Sequence, residues 1–112
     1  MRMWLVKPSL MCNQHLLGEH VEMHMFVGTI NRGKSIEGYI KRGLVETSLI
    51  EKRHKDLAIE LKKRGFNHKS NLPKFNIKSY GNVDKNLSLI ELKKRCVKCK
   101  SRIVNNRGIL DE

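Results

Sequence analysis

Three polar side chains in the first strongly helical stretch of the sequence have a spacing that could support chemistry. His15, Glu19 and Glu22 stand at positions i, i+4 and i+7, which puts them in one row within about 40° on a helix, with Gln14 nearby. An imidazole and carboxylates can accept and donate protons, so this row could serve general acid–base catalysis. A polar row is also the usual solvent-facing side of a helix, and the spacing alone does not choose between the two.

The residues that follow match the letter pattern of a phosphate-binding loop. Gly28 to Ser35 reads GTINRGKS, which fits G-x-x-x-x-G-K-S. Such a loop needs a strand before it and a helix that starts at its Lys-Ser pair, so that backbone amides surround a phosphate. Glycines at positions 38 and 43 disfavour that helix, and no later apolar strand ends in an aspartate that could hold magnesium. We therefore expect a basic loop that faces a DNA backbone, and no nucleotide site.

Histidine and cysteine pairs could bind a metal. His20 and His24 have the i, i+4 spacing that can share an ion, but they point away from the polar row. Cys96 and Cys99 form half of a zinc knuckle whose second pair is missing, and Cys12 with a histidine would complete four ligands only if the fold brought them together. The simpler alternatives are packed or solvated histidines and reduced thiols. We expect no metal or other cofactor in the chemistry.

Positive charge is the outlying property of the composition. The chain holds 23 Lys and Arg against 11 Asp and Glu, a formal net charge of +12. Most of this charge has to lie on the surface, where it favours phosphates or anionic membranes as partners. No window approaches the roughly 20 apolar residues that span a bilayer, and the N-terminal residues lack the cleavage site of a secretion signal. We therefore expect a cytoplasmic, nucleoid-associated protein with reduced cysteines that binds DNA and no membrane.

The positions of apolar residues, glycines and prolines predict an all-α fold. We expect one domain over residues 1–112, compact and built from three principal helices joined by long loops. The first helix should begin with Asn13 as its N-cap and end at Gly28. A further helical turn is expected around Ile36 to Ile40.

Two later helices are also predicted. The second should begin at a capping box formed by Ser48 and Glu51 and end at Gly65. The third should cover about residues 86–96, and the tail 105–112 should fray. The apolar residues that the three helices are expected to direct inward are Leu16, Leu17, Val21, Met25, Phe26, Leu49, Ile50, Leu57, Ala58, Leu61, Leu89, Ile90 and Leu92.

Two separated motifs resemble the pyrimidine-dimer DNA glycosylases, the family of the phage ultraviolet-repair endonuclease V. The segment NQHLLGEHVEMHMFVG carries the family's Q-H-L-x-x-E-x-x-E pattern as Gln14, His15, Leu16, Glu19 and Glu22. The helix end IELKKRGFNHKS contains residues 61–67, which resemble the family's L-K-R-G-F-N. The resemblance covers roughly residues 1–70, and the segment VDKNLSLIELKKRCVKC resembles the ending of cellular relatives.

The resemblance implies a compact helical DNA glycosylase that also cleaves abasic sites. In that family the α-amino group of the first residue attacks the anomeric carbon of the damaged nucleotide's sugar, and the base leaves as an imine forms. A glutamate at the position of Glu22 then helps to remove a proton, and β-elimination breaks the strand. An α-amine, with a reference pKa of about 7.7–8, is partly neutral near pH 7, unlike a lysine at about 10.4.

The same resemblance assigns the amine to Met1. The initiator methionine is poorly removed before a large side chain such as Arg2, so Met1 should be retained. The separation between Met1 and Glu22 then equals the family's separation between its first residue and its glutamate. Arg2 takes the place of the family's arginine beside the amine. The candidate DNA contacts are Arg2, Gln14, His15, Arg32, Lys34, Lys41 and Arg42.

Departures from the family pattern leave the lesion open. Val21 and Met25 stand where the phage enzyme has DNA-clamping arginines, and its aromatic C-terminal tail is missing here. We expect a monomeric glycosylase and abasic-site lyase that acts on pyrimidine dimers or related lesions in double-stranded DNA. The alternative is a non-catalytic nucleic-acid-binding module in which the polar row is solvated and Cys96 and Cys99 help to bind a structural zinc.

Overall fold

The computed structural model describes residues 1–67 and 71–105, and this part of the chain is helical. Its α-helices are α1 (Asn13–Asn31), α2 (Glu37–Lys41), α3 (Ile50–Lys63), α4 (Lys85–Arg95) and α5 (Val97–Asn105). Short 3-10 turns at Pro8–Leu10 and Thr47–Leu49 precede α1 and α3. No strand occurs in the described residues, so the all-α prediction is confirmed. Within the same residues, none of the helices has the length and apolarity needed to cross a bilayer.

The longest helix, α1, differs from its prediction at both ends. Its N-cap is Cys12, whose sulfur accepts a hydrogen bond from the backbone N–H of His15, so Asn13 is the first helical residue. Gly28, which was expected to end the helix, lies inside it. The helix stops after Asn31 because Gly33 adopts a φ of 71°, the left-handed conformation that favours glycine. A helix, not a strand, therefore leads into the Gly-Lys-Ser residues, and the P-loop geometry does not form.

The prediction for α2 and for the end of α3 is confirmed, but the start of α3 is different. A helical turn at Glu37–Lys41 matches the turn expected there. Gly65, with a φ of 89°, follows the last residues of α3 as expected. Ser48 instead lies in the preceding 3-10 turn, and Leu49 is the N-cap without a side-chain hydrogen bond. The predicted capping box between Ser48 and Glu51 therefore does not form.

The C-terminal part holds two helices where the sequence predicts one. Asp84 caps α4 by accepting hydrogen bonds from two backbone N–H groups at the start of the helix. Cys96 is extended, with φ −132° and ψ 113°, and it separates α4 from α5. The break was not predicted because no proline or glycine marks it. Apart from Asn105, the tail that was expected to fray lies outside the described residues.

The face of α1 that packs on the core includes polar residues. Its buried side chains are Leu16, Glu19, His20, Met23, Phe26 and Val27. Leu17, Val21 and Met25 are exposed, contrary to the prediction. The physical reason is that Glu19 and His20 take two of the inward positions. The helix is therefore rotated so that three of its apolar side chains face solvent.

One hydrophobic core joins the N-terminal arm, residues 1–7, to the helices. On α3 the predicted inward residues Ile50, Leu57 and Leu61 are buried, while Leu49 and Ala58 are half-buried. On α4, Leu92 is buried and Leu89 half-buried, but Ile90 is exposed. The prediction for Ile90 is wrong because Ser88, a small polar residue, takes the inward position one turn before Leu92.

Candidate active site

An open cleft of about 870 Å³ lies between the N-terminal arm, α1, α2 and α4. Its lining includes most of the predicted site residues, namely Met1, Arg2, Gln14, His15, Glu22 and Arg42. Arg32, Lys34 and Lys41 do not line it. The fold thus brings the first residue of the chain and the carboxylate on α1 to the same concave surface.

The N-terminal arm is fixed by a backbone hydrogen bond and by buried side chains. The backbone N–H of Met3 donates to the carbonyl of Leu44 at 2.7 Å. Met3 and Trp4 are buried, as is Val6. Leu5, between them, adopts a φ of 56°, which is uncommon for a residue with a Cβ and turns the chain there. These anchors hold Met1, which is half-buried, at the cleft.

Glu22 is half-buried and lies within electrostatic range of the N-terminal amine. Burial raises the pKa of its carboxyl above the ordinary value. The backbone N–H of Arg2, which hydrogen-bonds the carboxylate, and the charged α-amine of Met1 both lower this pKa, and Glu19 raises it again, with burial the largest effect. A carboxyl with a raised pKa exchanges its proton closer to neutral pH, as a proton carrier in catalysis needs to do.

Glu19 has a different environment from its neighbour in the polar row. Its side chain is fully buried, and Arg53 of α3 binds both carboxylate oxygens, with Nη2 donating to Oε1 at 2.9 Å and Nε donating to Oε2. The same Nη2 lies 3.3 Å from the sulfur of Met11. This bidentate pair joins α1 to α3, so the view of the row as a merely solvated face is wrong for Glu19.

Arg2 is held by α4 on the other side of the cleft. Its Nη1 donates to Oε2 of Glu91 at 3.0 Å, and its guanidinium carbon lies 3.7 Å from the ring centroid of Trp4. The hydrogen bond from Arg2 lowers the pKa of Glu91. Arg95, one turn further along α4, also binds Glu91. Trp4, Glu91 and Arg95 all line the cleft, and the sequence reasoning missed them because two of them lie far along the chain from the motifs.

Gln14 and His15 occupy the first turn of α1 at the edge of the cleft. Gln14 is exposed, whereas His15 is half-buried and packs edge-on against Trp4, with ring centroids 6.0 Å apart. The Nδ1 atom of His15 lies 3.3 Å from the sulfur of Cys12. Burial lowers the pKa of His15, against an opposing attraction from Glu19, so the neutral imidazole is favoured.

The comparison with protein families fits this arrangement. Residues 1–74, about two thirds of the chain, match the family model described as pyrimidine dimer DNA glycosylase. This chain belongs to that family. No curated protein and no solved structure gave a significant match. Family membership establishes a glycosylase-type role in DNA repair, with DNA as the substrate, and both sequence motifs lie within the matched residues.

The remaining basic candidates of this glycosylase are distributed over two surfaces. Arg42 caps the C-terminal end of α2 and lines the cleft. Lys34 and Lys41 instead line a separate groove of about 630 Å³, and Lys41 pairs with Glu37 at 3.1 Å. Arg32 is exposed at the C-cap of α1. Their contacts with DNA stay predictions.

His20 and His24 of α1 meet His54 of α3 away from the glycosylase cleft. His24 and His54 of α3 approach to 3.0 Å between their Nε2 atoms, and the ring centroids of His20 and His54 are 4.7 Å apart. None of the three is among the cleft residues. The sequence-based expectation that His20 and His24 point away from the polar row agrees with this placement.

Proposed function

We propose that this glycosylase excises pyrimidine dimers or related lesions and cleaves abasic sites through the α-amine of Met1, with Glu22 as the proton carrier. The observation that carries the proposal is the position of these two groups in one cleft. Met1 and Glu22 both line it, and the charged amine acts directly on the pKa of the Glu22 carboxyl. Family membership supports the glycosylase part of this proposal.

In the first step the neutral amine donates its lone pair to C1′ of the damaged nucleotide. The bond between C1′ and the base nitrogen breaks, and the base leaves with that electron pair and takes up a proton from water. The Glu22 carboxylate then accepts a proton from the Met1 nitrogen, which is positively charged once it is bonded to C1′, and returns it to O4′ as the C1′–O4′ bond opens. The result is an iminium between Met1 and the open sugar.

In the second step the Glu22 carboxylate removes a proton from C2′. The electron pair moves to expel the phosphate oxygen on C3′, so the C3′–O bond breaks and the strand is cut by β-elimination. Water then hydrolyses the imine and returns the free α-amine. Every step uses proton transfers between the amine, the carboxyl and water, and none requires an oxidant or a nucleotide cofactor.

Recognition of the substrate rests on charge and on access to the sugar. A formal charge of +12 favours the phosphates of double-stranded DNA, and Arg42 places part of that charge at the cleft. The attacked C1′ is inaccessible inside a stacked duplex, so the damaged nucleotide has to be extruded toward Met1. We expect the chain to do this as a monomer, with the other predicted basic residues contacting the backbone.

Borohydride trapping tests the amine. The protein is mixed with duplexes that carry one dimer or one abasic site, in EDTA, and the iminium is reduced to a stable adduct. We expect an adduct that peptide mass spectrometry assigns to the α-amine of Met1. One extra residue before Met1 should abolish strand cleavage, whereas Lys7→Arg, which removes the nearest lysine in the sequence, should leave it intact. An adduct that persists after the α-amine is blocked, or none with either lesion, would contradict the proposal.

A second experiment tests Glu22. Glu22→Gln should slow strand cleavage at least about a hundredfold, the usual size of a general acid–base contribution, while binding to the same duplex stays within a few-fold of wild type. Glu51→Gln, which removes a carboxylate from the exposed start of α3, is the matched control and should cleave normally. Parallel loss of binding and cleavage in Glu22→Gln would indicate a structural role instead.

A further inference from the structure

Four potential zinc ligands converge where α1, α4 and α5 meet. Cys12 is the N-cap of α1 and His15 lies in its first turn, while Cys96 separates α4 from α5 and Cys99 lies in the first turn of α5. The ligand atoms of these four side chains all lie within 4.8 Å of one another. We propose that they bind one structural zinc ion in a Cys₃His site, and that His15, which also lines the cleft, acts there as a zinc ligand and not in the lesion chemistry.

The distances between ligand atoms fit tetrahedral coordination. Zinc bonds of about 2.3 Å to sulfur and about 2.0–2.1 Å to nitrogen give tetrahedral edges of roughly 3.8 Å between two sulfurs and roughly 3.6 Å between sulfur and nitrogen. The sulfurs of Cys12 and Cys96 are 3.7 Å apart. Nδ1 of His15 lies 3.3 Å from the Cys12 sulfur. An ion at the centre therefore requires only small side-chain adjustments.

Backbone N–H groups orient the three sulfurs of the site. The Cys12 sulfur accepts the backbone N–H of His15 at 3.5 Å, and the Cys96 sulfur accepts that of Cys99 at 3.4 Å. The Cys99 sulfur accepts the backbone N–H of Cys12 at 3.2 Å. These hydrogen bonds hold the sulfurs in position before the ion arrives.

The surroundings of the four ligands fit a structural site. Cys12 and Cys99 are buried, with 5% and 0% exposure, while His15 and Cys96 are half-buried and give the ion a path from solvent. Four protein ligands fill a tetrahedral site and leave no position for a reactive water, which is the arrangement of structural zinc.

The zinc would connect the part of the chain that matches the family model to the part that lies beyond it. Cys12 and His15 lie within the residues that match the glycosylase family, whereas Cys96 and Cys99 lie beyond residue 74. The cross-link closes a long loop, so it should hold α4 and α5 against the start of α1. Because α4 also carries Glu91, the partner of Arg2, the ion is expected to stabilise one wall of the cleft without taking part in the reaction.

Metal analysis of the full chain tests the site. The protein is loaded with zinc and dialysed against metal-free buffer, and the amount of zinc that stays bound per chain is measured by elemental mass spectrometry. We expect one tightly held zinc per chain. Cys96→Ser should weaken binding by more than the roughly 10–100-fold that loss of a supporting hydrogen bond costs. His24→Gln alters the other group of potential ligands, His20, His24 and His54, and should retain the full zinc content.

Two further measurements keep the proposal testable if the cysteine variants do not fold. Cobalt added to the metal-free wild-type chain should give the visible bands of a tetrahedral ion together with sulfur-to-metal charge transfer. Removal of zinc should lower the melting temperature, and its return should restore it. A zinc-free protein with an unchanged melting temperature, zinc lost in His24→Gln but kept in Cys96→Ser, or a disulfide between Cys12 and Cys96 in the purified chain would each overturn the proposal.

Discussion

The guanidinium of Arg2 donates to the carboxylate of Glu91 at 3.0 Å, across most of the length of the chain. Arg2 is adjacent to the proposed nucleophile, and Glu91 lies on α4, outside the residues that match the family. The arginine that we expect to contact DNA is thus already paired with an acidic side chain of the same protein. A phosphate has to compete with Glu91 for this guanidinium, and α4 thereby controls how much positive charge the cleft offers.

The first prediction follows from this pair. Glu91→Gln should tighten binding to a duplex with an abasic-site analogue by a few-fold at low salt, because Arg2 becomes available to a phosphate. The logarithm of the binding constant falls linearly with the logarithm of the salt concentration, and each additional phosphate contact makes this slope more negative by about 0.9. The salt dependence should therefore also become steeper. Fluorescence anisotropy over a series of salt concentrations measures both quantities.

Two controls separate the release of Arg2 from a change in net charge. Asp56→Asn also removes one negative charge, from an exposed pair with Lys52 at 3.0 Å on α3, and it should change binding less than Glu91→Gln. In an Arg2→Gln background, Glu91→Gln should tighten binding less than it does in the wild type, because only Arg95, the other partner of Glu91, is then released. If Asp56→Asn increased the affinity for the duplex as much as Glu91→Gln, the change in net charge alone would explain the effect.

The second prediction concerns the buried pair of Glu19 and Arg53. Arg53→Met leaves a buried carboxylate without its partner and should lower the free energy of unfolding by about 3–5 kcal/mol in urea titrations at pH 7. Lys52→Met, at the adjacent position, breaks an exposed pair and should change it by less than about 1 kcal/mol. The double variant Glu19→Met with Arg53→Met should recover much of the loss, because no charge is then buried. A double variant as unstable as Arg53→Met alone would assign the loss to packing.

The contrast between Glu19 and Glu22 shows what the sequence can and cannot predict. The helical spacing and the family motif together place both glutamates on one row and single out Glu22. The spacing cannot tell that Glu19 is buried, because that depends on how α1 is rotated against α3 and on Arg53, whose position in the sequence has no periodic relation to Glu19. The same rotation exposes Val21 and Met25, which an apolar pattern alone directs inward.

Contacts between residues far apart in the sequence also limited what could be predicted. The all-α class was predictable because apolar spacing and helix-ending glycines such as Gly65 act locally along each helix. The approach of Cys12 to Cys96 and Cys99, and that of Arg2 to Glu91, depends on how the C-terminal helices fold back onto the start of α1. No local pattern contains that information.

The third prediction uses the raised pKa of Glu22. A carboxyl whose folded pKa lies above its unfolded value contributes stability that is complete below the unfolded pKa and is lost as the pH rises through the folded pKa. At neutral pH the negative charge of Glu22 is less favourable in the folded protein, where the side chain is half-buried, than in the unfolded chain. Glu22→Gln is neutral at every pH, so it should melt at a higher temperature than wild type at pH 7.

The pH dependence makes this third prediction specific. The difference in melting temperature between Glu22→Gln and wild type, followed by circular dichroism, should shrink as the pH falls to 4 and the wild-type carboxyl takes up its proton. A wild-type protein that melts above the variant at pH 7 would mean that the Arg2 backbone N–H and the Met1 amine together outweigh burial.

The last prediction concerns the backbone that holds the N-terminal arm in place. Gly81 has a φ of 82°, and an added Cβ would lie 2.2 Å from the carbonyl oxygen of Val45. Leu44, the preceding residue, accepts the hydrogen bond from Met3 that anchors the arm. Gly81→Ala should therefore cost more than about 1 kcal/mol of stability, since the backbone has to move, and it should also slow lesion cleavage by displacing Met1.

A glycine with free space around it is the matched control for Gly81. At Gly38, inside α2, an added Cβ meets nothing within 4 Å and the φ is not positive, so Gly38→Ala should stabilise the protein by about 0.5–1 kcal/mol. Urea titration and the cleavage assay are run on both variants. If Gly81→Ala lost stability but cleaved at the wild-type rate, the contact between Gly81 and Val45 would support the fold without positioning the amine.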